Sequence, residues 1–336
     1  MQVIRLHGAR DLRLHDEPMP SPGPGESLVR VAAVSICGSD IHWFAEGGIG
    51  DARINQPLVL GHEFAGVIAD GERSGERVAV DPAIPCRVCE FCLEGNPNLC
   101  TSMRFAGHGT TDGALREYLA WPTYCLFRLP ESIGDAEGAL LEALGVGIHA
   151  IDLGHLRPGM SVGIFGCGPI GLLMVQLARI SGATQIIATD KLPHRLQAAQ
   201  SFGATDVFQA DGGQEAAEIL AATHRRGVDV AFEVAGENEA VETAVAIAKP
   251  GARVVLVGIP ADDRTAFTAS TARRKGLTIK LVRRMKHIYP RAIALVEHGL
   301  VDVRSLATHR FPLNEAKPAL VEAEKRSGLK VVIEMA

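Results

Sequence analysis

Apolar residues follow two rhythms along this chain. Near the N-terminus, residues 2–6 and 27–34 alternate or run apolar with β-branched side chains, and 64–69 and 77–80 repeat the pattern. The first two runs are separated by Pro18-Met19-Pro20-Ser21-Pro22-Gly23-Pro24-Gly25, a cluster of turn formers. Short strands broken by Gly, Pro and Asp predict a compact β-rich domain. From about Ala136 the rhythm lengthens. Residues 137–153 have helical composition, and then strands at 162–165, 185–190, 228–233 and 253–258 alternate with helices at 170–181, 193–202 and 239–248. Such alternation implies a parallel sheet with helices on both faces. The continuous run Val254-Val255-Leu256-Val257 fits a strand buried on both sides. Beyond about Lys280 the pattern predicts a helix at 290–297, another after Leu313 and a closing strand at 330–334, a tail that rejoins the first domain. The expected class is α/β, with a β-rich domain over 1–145 and 284–336 and a doubly wound parallel-sheet domain over 146–283.

Composition changes this picture little. A chain of 336 residues is long for one core, which agrees with two domains. The net charge of -5 argues against a nucleic-acid partner. Residues 1–10 hold no apolar stretch of a secretory signal, and no uncharged apolar run approaches the roughly 18–20 residues that span a bilayer. A cytoplasmic protein without a membrane partner is expected. In that setting the seven cysteines read as metal ligands before disulfides.

Four of them, Cys86, Cys89, Cys92 and Cys100, follow a C-x2-C-x2-C-x7-C spacing on a segment that Pro85, Gly95 and Pro97 should keep as a loop. Four thiolates suit a closed tetrahedral zinc site or an iron–sulfur cluster; the spacing lacks the short last gap of bacterial ferredoxins and favours zinc. A second set, Cys37, His62, Glu63 and Glu142, mixes soft and hard donors, as open catalytic zinc sites do. In the segment Ser35 to His42, Cys37 can ligate while Ser39 and His42 can pass a proton to solvent. Glu142 sits in an otherwise apolar helical run, and a buried acid needs a metal, a proton or a partner. His149, in the same run, reads as a packing residue.

The third constellation is Gly166-x-Gly168-x-x-Gly171, between a predicted strand and helix. Gly166 permits the turn, Gly168 lets backbone approach a pyrophosphate, and Gly171 lets the helix pack closely; Pro169 and Ile170 open that helix. Asp190 ends the next strand nineteen residues beyond Gly171, where a carboxylate meets ribose hydroxyls and repels a 2′-phosphate. NAD is therefore expected over NADP, a preference that the nearby Lys191 and Arg195 moderate.

These residues make the chain similar, over essentially its whole length, to the zinc-dependent medium-chain dehydrogenases of the polyol (sorbitol or L-iditol) branch. The resemblance is carried by Cys37-Gly-Ser-Asp-x-His42, Ile49-Gly50-Asp51, Gly61-His62-Glu63, the four-cysteine lobe, Leu141-Glu142, the glycine fingerprint and Thr308-His309-Arg310-Phe311-Pro312-Leu313. It implies a GroES-like catalytic domain and a Rossmann cofactor domain. It also implies one catalytic zinc on Cys37, His62 and Glu63, with Glu142 beside it, and one structural zinc on the four cysteines. Cofactor contacts would extend to Arg195, Val257 and Gly258. Substrate contacts would involve Trp43, Phe105, Glu142, Arg284 and Met285. Of these, Arg284 matches an arginine aimed at substrate hydroxyls, whereas Trp43 and Met285 stand where relatives carry other residues.

The implied reaction removes a hydride from a secondary alcohol of a polyol to NAD. Its proton would leave through Ser39, the ribose and His42, or through a water held by Glu142. A homodimer or homotetramer is implied. Dehydrogenases acting on threonine, butanediol or an aminocyclitol share most of these motifs. A catalytically silent nucleotide-sensing protein is the rival of another class, and the full set Cys37, Ser39, His42, His62 and Glu63 counts against it.

Overall fold

The computed structural model describes residues 1–335, which form two compact units. One comprises Met1–Ala143, Lys286–Gly299 and the residues from 303 onward; the other comprises Leu144–Met285 and Leu300–Asp302.

In the first unit a seven-stranded sheet runs in the order Leu126–Arg128, Arg77–Val80, Glu63–Ile68, Glu26–Ser35, Lys330–Glu334, Ala307–Pro312, with Tyr118–Pro122 also pairing on Glu26–Ser35. All these pairings are antiparallel except that between Ala307–Pro312 and Lys330–Glu334. The register sets Ser35 opposite both Glu63 and Val332, so three distant stretches of sequence meet at one point. Val29, Val31, Phe64, Val78, Trp121 and Ile333 are buried in its core, each large apolar side chain contributing about 1.5–3 kcal/mol.

Two elements here escape the hydrophobic pattern. The charged strand Asp11–Asp16 pairs with Gln2–Gly8 as an outer hairpin. Gly38–Glu46 is a helix although Gly-Ser-Asp reads as a turn. It forms because the Asp40 carboxylate accepts the Cys37 N–H at 2.9 Å, satisfying a donor at the helix start. It stops at Gly47, whose φ of 68° is left-handed. The four-cysteine segment is likewise more ordered than the expected loop: Glu90–Leu93 forms a helical turn and Pro97–Leu99 a tighter one, each too short for the prolines to interrupt.

The second unit holds a six-stranded parallel sheet in the order Asp206–Gln209, Gln185–Asp190, Ser161–Phe165, Val228–Glu233, Ala248–Leu256, Thr278–Leu281. This is the doubly wound arrangement, in which the order of the strands reverses between Ser161–Phe165 and Val228–Glu233 while all run parallel. Ligands of such sheets bind outside the carboxyl ends of the strands at that switch. Helices Pro169–Ile180, Pro193–Phe202, Glu215–Ala222 and Asn238–Ile247 link the strands. The outer strands Asp206–Gln209 and Thr278–Leu281 were not predicted; both are short, and neither is an apolar run.

Candidate active site and metal centres

Cys37 stands at the start of the helix Gly38–Glu46, and Glu63 opens the strand Glu63–Ile68. Gly61 turns the chain between them with φ 93°, and a Cβ there would lie 2.8 Å from a Val34 methyl. Only glycine suits both demands. The result brings ligand atoms of Cys37, His62 and Glu63 within 4.8 Å of one another. His62 is 7% and Glu63 1% exposed. Thiolate, imidazole and carboxylate together fit a zinc-type cation better than a hard one, and fewer than four protein ligands leaves a coordination position for substrate.

Each buried ligand has its own partner. His62 Nδ1 lies 3.4 Å from Asp40 Oδ1, which also accepts the Gly61 N–H at 3.2 Å. Asp40 thereby fixes the imidazole and leaves Nε2 as the donor to a cation. Burial is the largest single influence and pushes the His62 pKa down, but the charge and hydrogen bond of Asp40 together with Cys37 outweigh it, and the net shift in the metal-free protein is well upward. Glu63 accepts from the Ser35 hydroxyl and from Lys330 Nζ, at 2.9 Å to Oε1 and 2.7 Å to Oε2. Lys330 is 5% exposed, and although burial lowers its pKa, Glu63 and then Cys37 raise it overall. Asp40 and Lys330 went unrecognised as site residues. Asp40 lies inside the quoted motif; nothing in the residues around Lys330 marks it.

Glu142 is buried in the helix Asp135–Gly154 but stands outside the converging ligand set. Burial lifts its pKa to about 7; Glu63 adds to the rise, while His62 and Lys330 oppose it. Ser39 and His42 share the Cys37 helix, and His42 Nδ1 lies 2.9 Å from Glu46 Oε1, one turn along. The Phe105 ring tilts against His62 at 5.3 Å. Trp43 is 2% exposed and packs edge-on to His108 at 5.5 Å, so it is chiefly a core residue with little ring surface to offer a ligand.

The four cysteines also bring their sulfurs within 4.8 Å of one another. Backbone N–H groups of Val88 and Cys89 pull the Cys86 thiol down to about 6, whereas desolvation and then Cys89 drive Cys92 up to about 12. Four thiolates at such range need a cation to coexist. All seven cysteines are free thiols.

In the second unit, Gly166 has φ 107°, and a Cβ on it would meet the Ala235 nitrogen at 2.7 Å. A Cβ on Gly171 would collide with the Gly166 carbonyl oxygen. Gly168 caps the helix that Pro169 and Ile170 open, and the Arg195 guanidinium lies beside Gly168. Asp190 accepts the Cys167 N–H at 2.8 Å and the Leu192 N–H at 2.9 Å, which locks its carboxylate at the strand end. Val257 and Gly258 donate their N–H groups to the Glu233 carbonyl. Glu233 itself was missed: it is a buried acid, raised in pKa by burial, whose carboxylate accepts the Gly236 N–H at 2.6 Å. Arg284 (φ 53°) and the buried Met285 belong to this unit and are not part of the ligand cluster.

Comparison with known proteins gives matches to alcohol dehydrogenase GroES-like domains over residues 23–131 and to zinc-binding dehydrogenases over residues 169–298. A sorbitol dehydrogenase of Bacillus subtilis is 36% identical over 99% of this chain and 97% of its own. A probable D-xylulose reductase A of Emericella nidulans is 35% identical over 98% of this chain and 94% of its own. Among solved structures, an Escherichia coli oxidoreductase of unknown specificity superposes with TM-score 0.94 at 33% identity, covering 100% of this chain and 99% of that one.

Proposed function

We propose, taking as premise that the chain belongs to the zinc-dependent medium-chain dehydrogenases in their polyol branch, that it oxidises a secondary alcohol of a sugar alcohol to a ketose with NAD as hydride acceptor. The observation that carries this reading is the convergence of Cys37, His62 and Glu63 in one buried, partnered cluster. These three residues would hold the catalytic zinc, and Cys86, Cys89, Cys92 and Cys100 a structural one. A zinc ion at the first site supplies Lewis acidity toward the substrate hydroxyl.

The chain's own residues do the rest. Asp40 holds His62 in the tautomer that offers Nε2, and Ser35 with Lys330 fixes the Glu63 carboxylate. Glu142, with a pKa near neutrality, can hold or release a proton at its carboxyl group. Ser39 and His42 lie on one helix as an outward proton path, which Glu46 would complete at its solvent end. Arg284 orients a further hydroxyl of the polyol. The glycine turn, the helix start at Pro169 and the Asp190 carboxylate bind pyrophosphate and adenosine ribose. The enzyme works in the cytoplasm as a homodimer or homotetramer, which light scattering on the purified protein tests.

The decisive experiment pairs metal content per chain with NADH absorbance over a substrate panel. Pentitols and hexitols should be oxidised far faster than threonine, butanediol or an aminocyclitol. Turnover restricted to one of the latter would replace the polyol assignment, and absence of bound zinc would remove its basis.

A further inference from the structure

The sequence places a cation, Lys191, directly after the ribose-binding Asp190, where it would be expected to welcome a 2′-phosphate. The structure uses that cation differently. Lys191 Nζ is ion-paired to Glu237 and lies 3.6 Å from Glu239 Oε2. Its pKa is raised, first by the hydrogen bond to Glu237.

The sheet order gives this contact its meaning. Lys191 follows the strand Gln185–Asp190, and Glu237 caps the helix that follows the strand Val228–Glu233. Those strands flank Ser161–Phe165, which leads into the glycine turn. The ion pair therefore joins the two loops on either side of the dinucleotide crevice, some two strand spacings, or about 10 Å, apart in the sheet. Both side chains are substantially exposed, at 53% and 37%, and an exposed pair of this kind adds little to stability. Its consequence is electrostatic: one cation is neutralised, and two carboxylates, Glu237 and Glu239, join Asp190 at the rim.

We propose that Glu237, supported by Glu239, is a cofactor-specificity residue that excludes NADP by holding Lys191 in an ion pair and so denying it to a 2′-phosphate. The inference rests on the NAD reading above but not on the polyol assignment. Asp190 repels the phosphate; Glu237 neutralises one of the two cations, Lys191 and Arg195, that would offset the repulsion. Sequence alone suggests the reverse role for Lys191, because its partner lies 46 residues away on another loop.

The test uses the intact protein, with NADH and NADPH binding followed by nucleotide fluorescence in the absence of any alcohol. Glu237→Gln should tighten NADPH relative to NADH by about tenfold at low salt, the size expected for releasing one near-surface cation. Glu239→Gln should give a smaller gain in the same direction. The gain should shrink as salt is added. Lys191→Met in the Glu237→Gln background should return the ratio toward that of the wild type. An unchanged ratio in Glu237→Gln overturns the proposal, as does a gain that survives loss of Lys191. If the protein binds NADH but oxidises no polyol, the functional reading fails and this one stands. If it binds neither nucleotide, both fall.

Discussion

The two cysteine-bearing clusters of the first unit hold their ligands by different means. The four-cysteine lobe collects its sulfurs on fifteen residues, with two short helical turns and with Val88 and Leu93 at 76% and 75% exposure. Of the four only Cys100 is buried, and the sulfurs stay together through backbone N–H groups and whatever cation they would share. The Cys37, His62 and Glu63 cluster draws on residues far apart in sequence and is braced by Asp40, Ser35 and Lys330. One cluster would need its metal to assemble, whereas the other is assembled by the fold and would lend a metal a tuned environment. That is the physical difference between a staple and a reaction centre.

The sharpest way to break this comparison is a pair of substitutions. Cys37→Ser should lower turnover by more than about a thousandfold, since Lewis-acid activation is worth several kcal/mol, while NADH binding persists. Cys92→Ser should remove one metal per chain and make the lobe protease-sensitive, with the other site still loaded. Equal loss of both metals in either variant, by elemental analysis, would erase the distinction.

Next in size is Lys330→Met. It leaves the Glu63 carboxylate buried beside Ser35 alone, and breaking a buried pair on one side costs about 3–5 kcal/mol. Urea unfolding of the metal-free protein measures this, and Lys330→Met combined with Glu63→Gln should recover most of the loss. Asp40→Asn tests the other brace. It should weaken cobalt(II) binding at the catalytic site by about 10–100-fold, with a changed absorption spectrum, and leave the four-cysteine site untouched.

The most gradual effect is a pH dependence, spread over several pH units. In the metal-free protein the Glu142 pKa is raised from 4.5 to about 7, so the folded state binds its proton more tightly than the unfolded chain. That stabilisation is complete below the unfolded value and lost as pH rises through the folded one. The stability of the metal-free protein, followed by thermal melting, should therefore fall as pH rises from 4.5 to about 7, by at most about 1.4 kcal/mol per unit. Glu142→Gln should flatten that slope, and an unchanged slope would place the titration elsewhere.

What the sequence made legible was whatever is local. The segments 162–165 and 228–233 read as buried strands from their place in the strand–helix alternation, the cysteine spacing suggested its own site, and Glu142 stood out against apolar neighbours. The helix Gly38–Glu46 was hidden because its capping carboxylate, Asp40, sits in a triplet that also favours turns. The strand Asp11–Asp16 was hidden by its charges. Lys330 and the Lys191 to Glu237 pair were illegible for a different reason. Their chemistry comes from partners that only the tertiary structure supplies, and no nearby residue announces them.

The clamp on Glu63 also bears on biosynthesis. Its ammonium arrives 267 residues after the carboxylate it neutralises, on the strand Lys330–Glu334. A nascent chain released by the ribosome before that point carries the thiolate, imidazole and carboxylate but not the counter-charge that lets them share a dry interior. Chains that stop short of Lys330–Glu334 should therefore be unable to mature a loaded centre, which makes this pairing a late step in assembling the site.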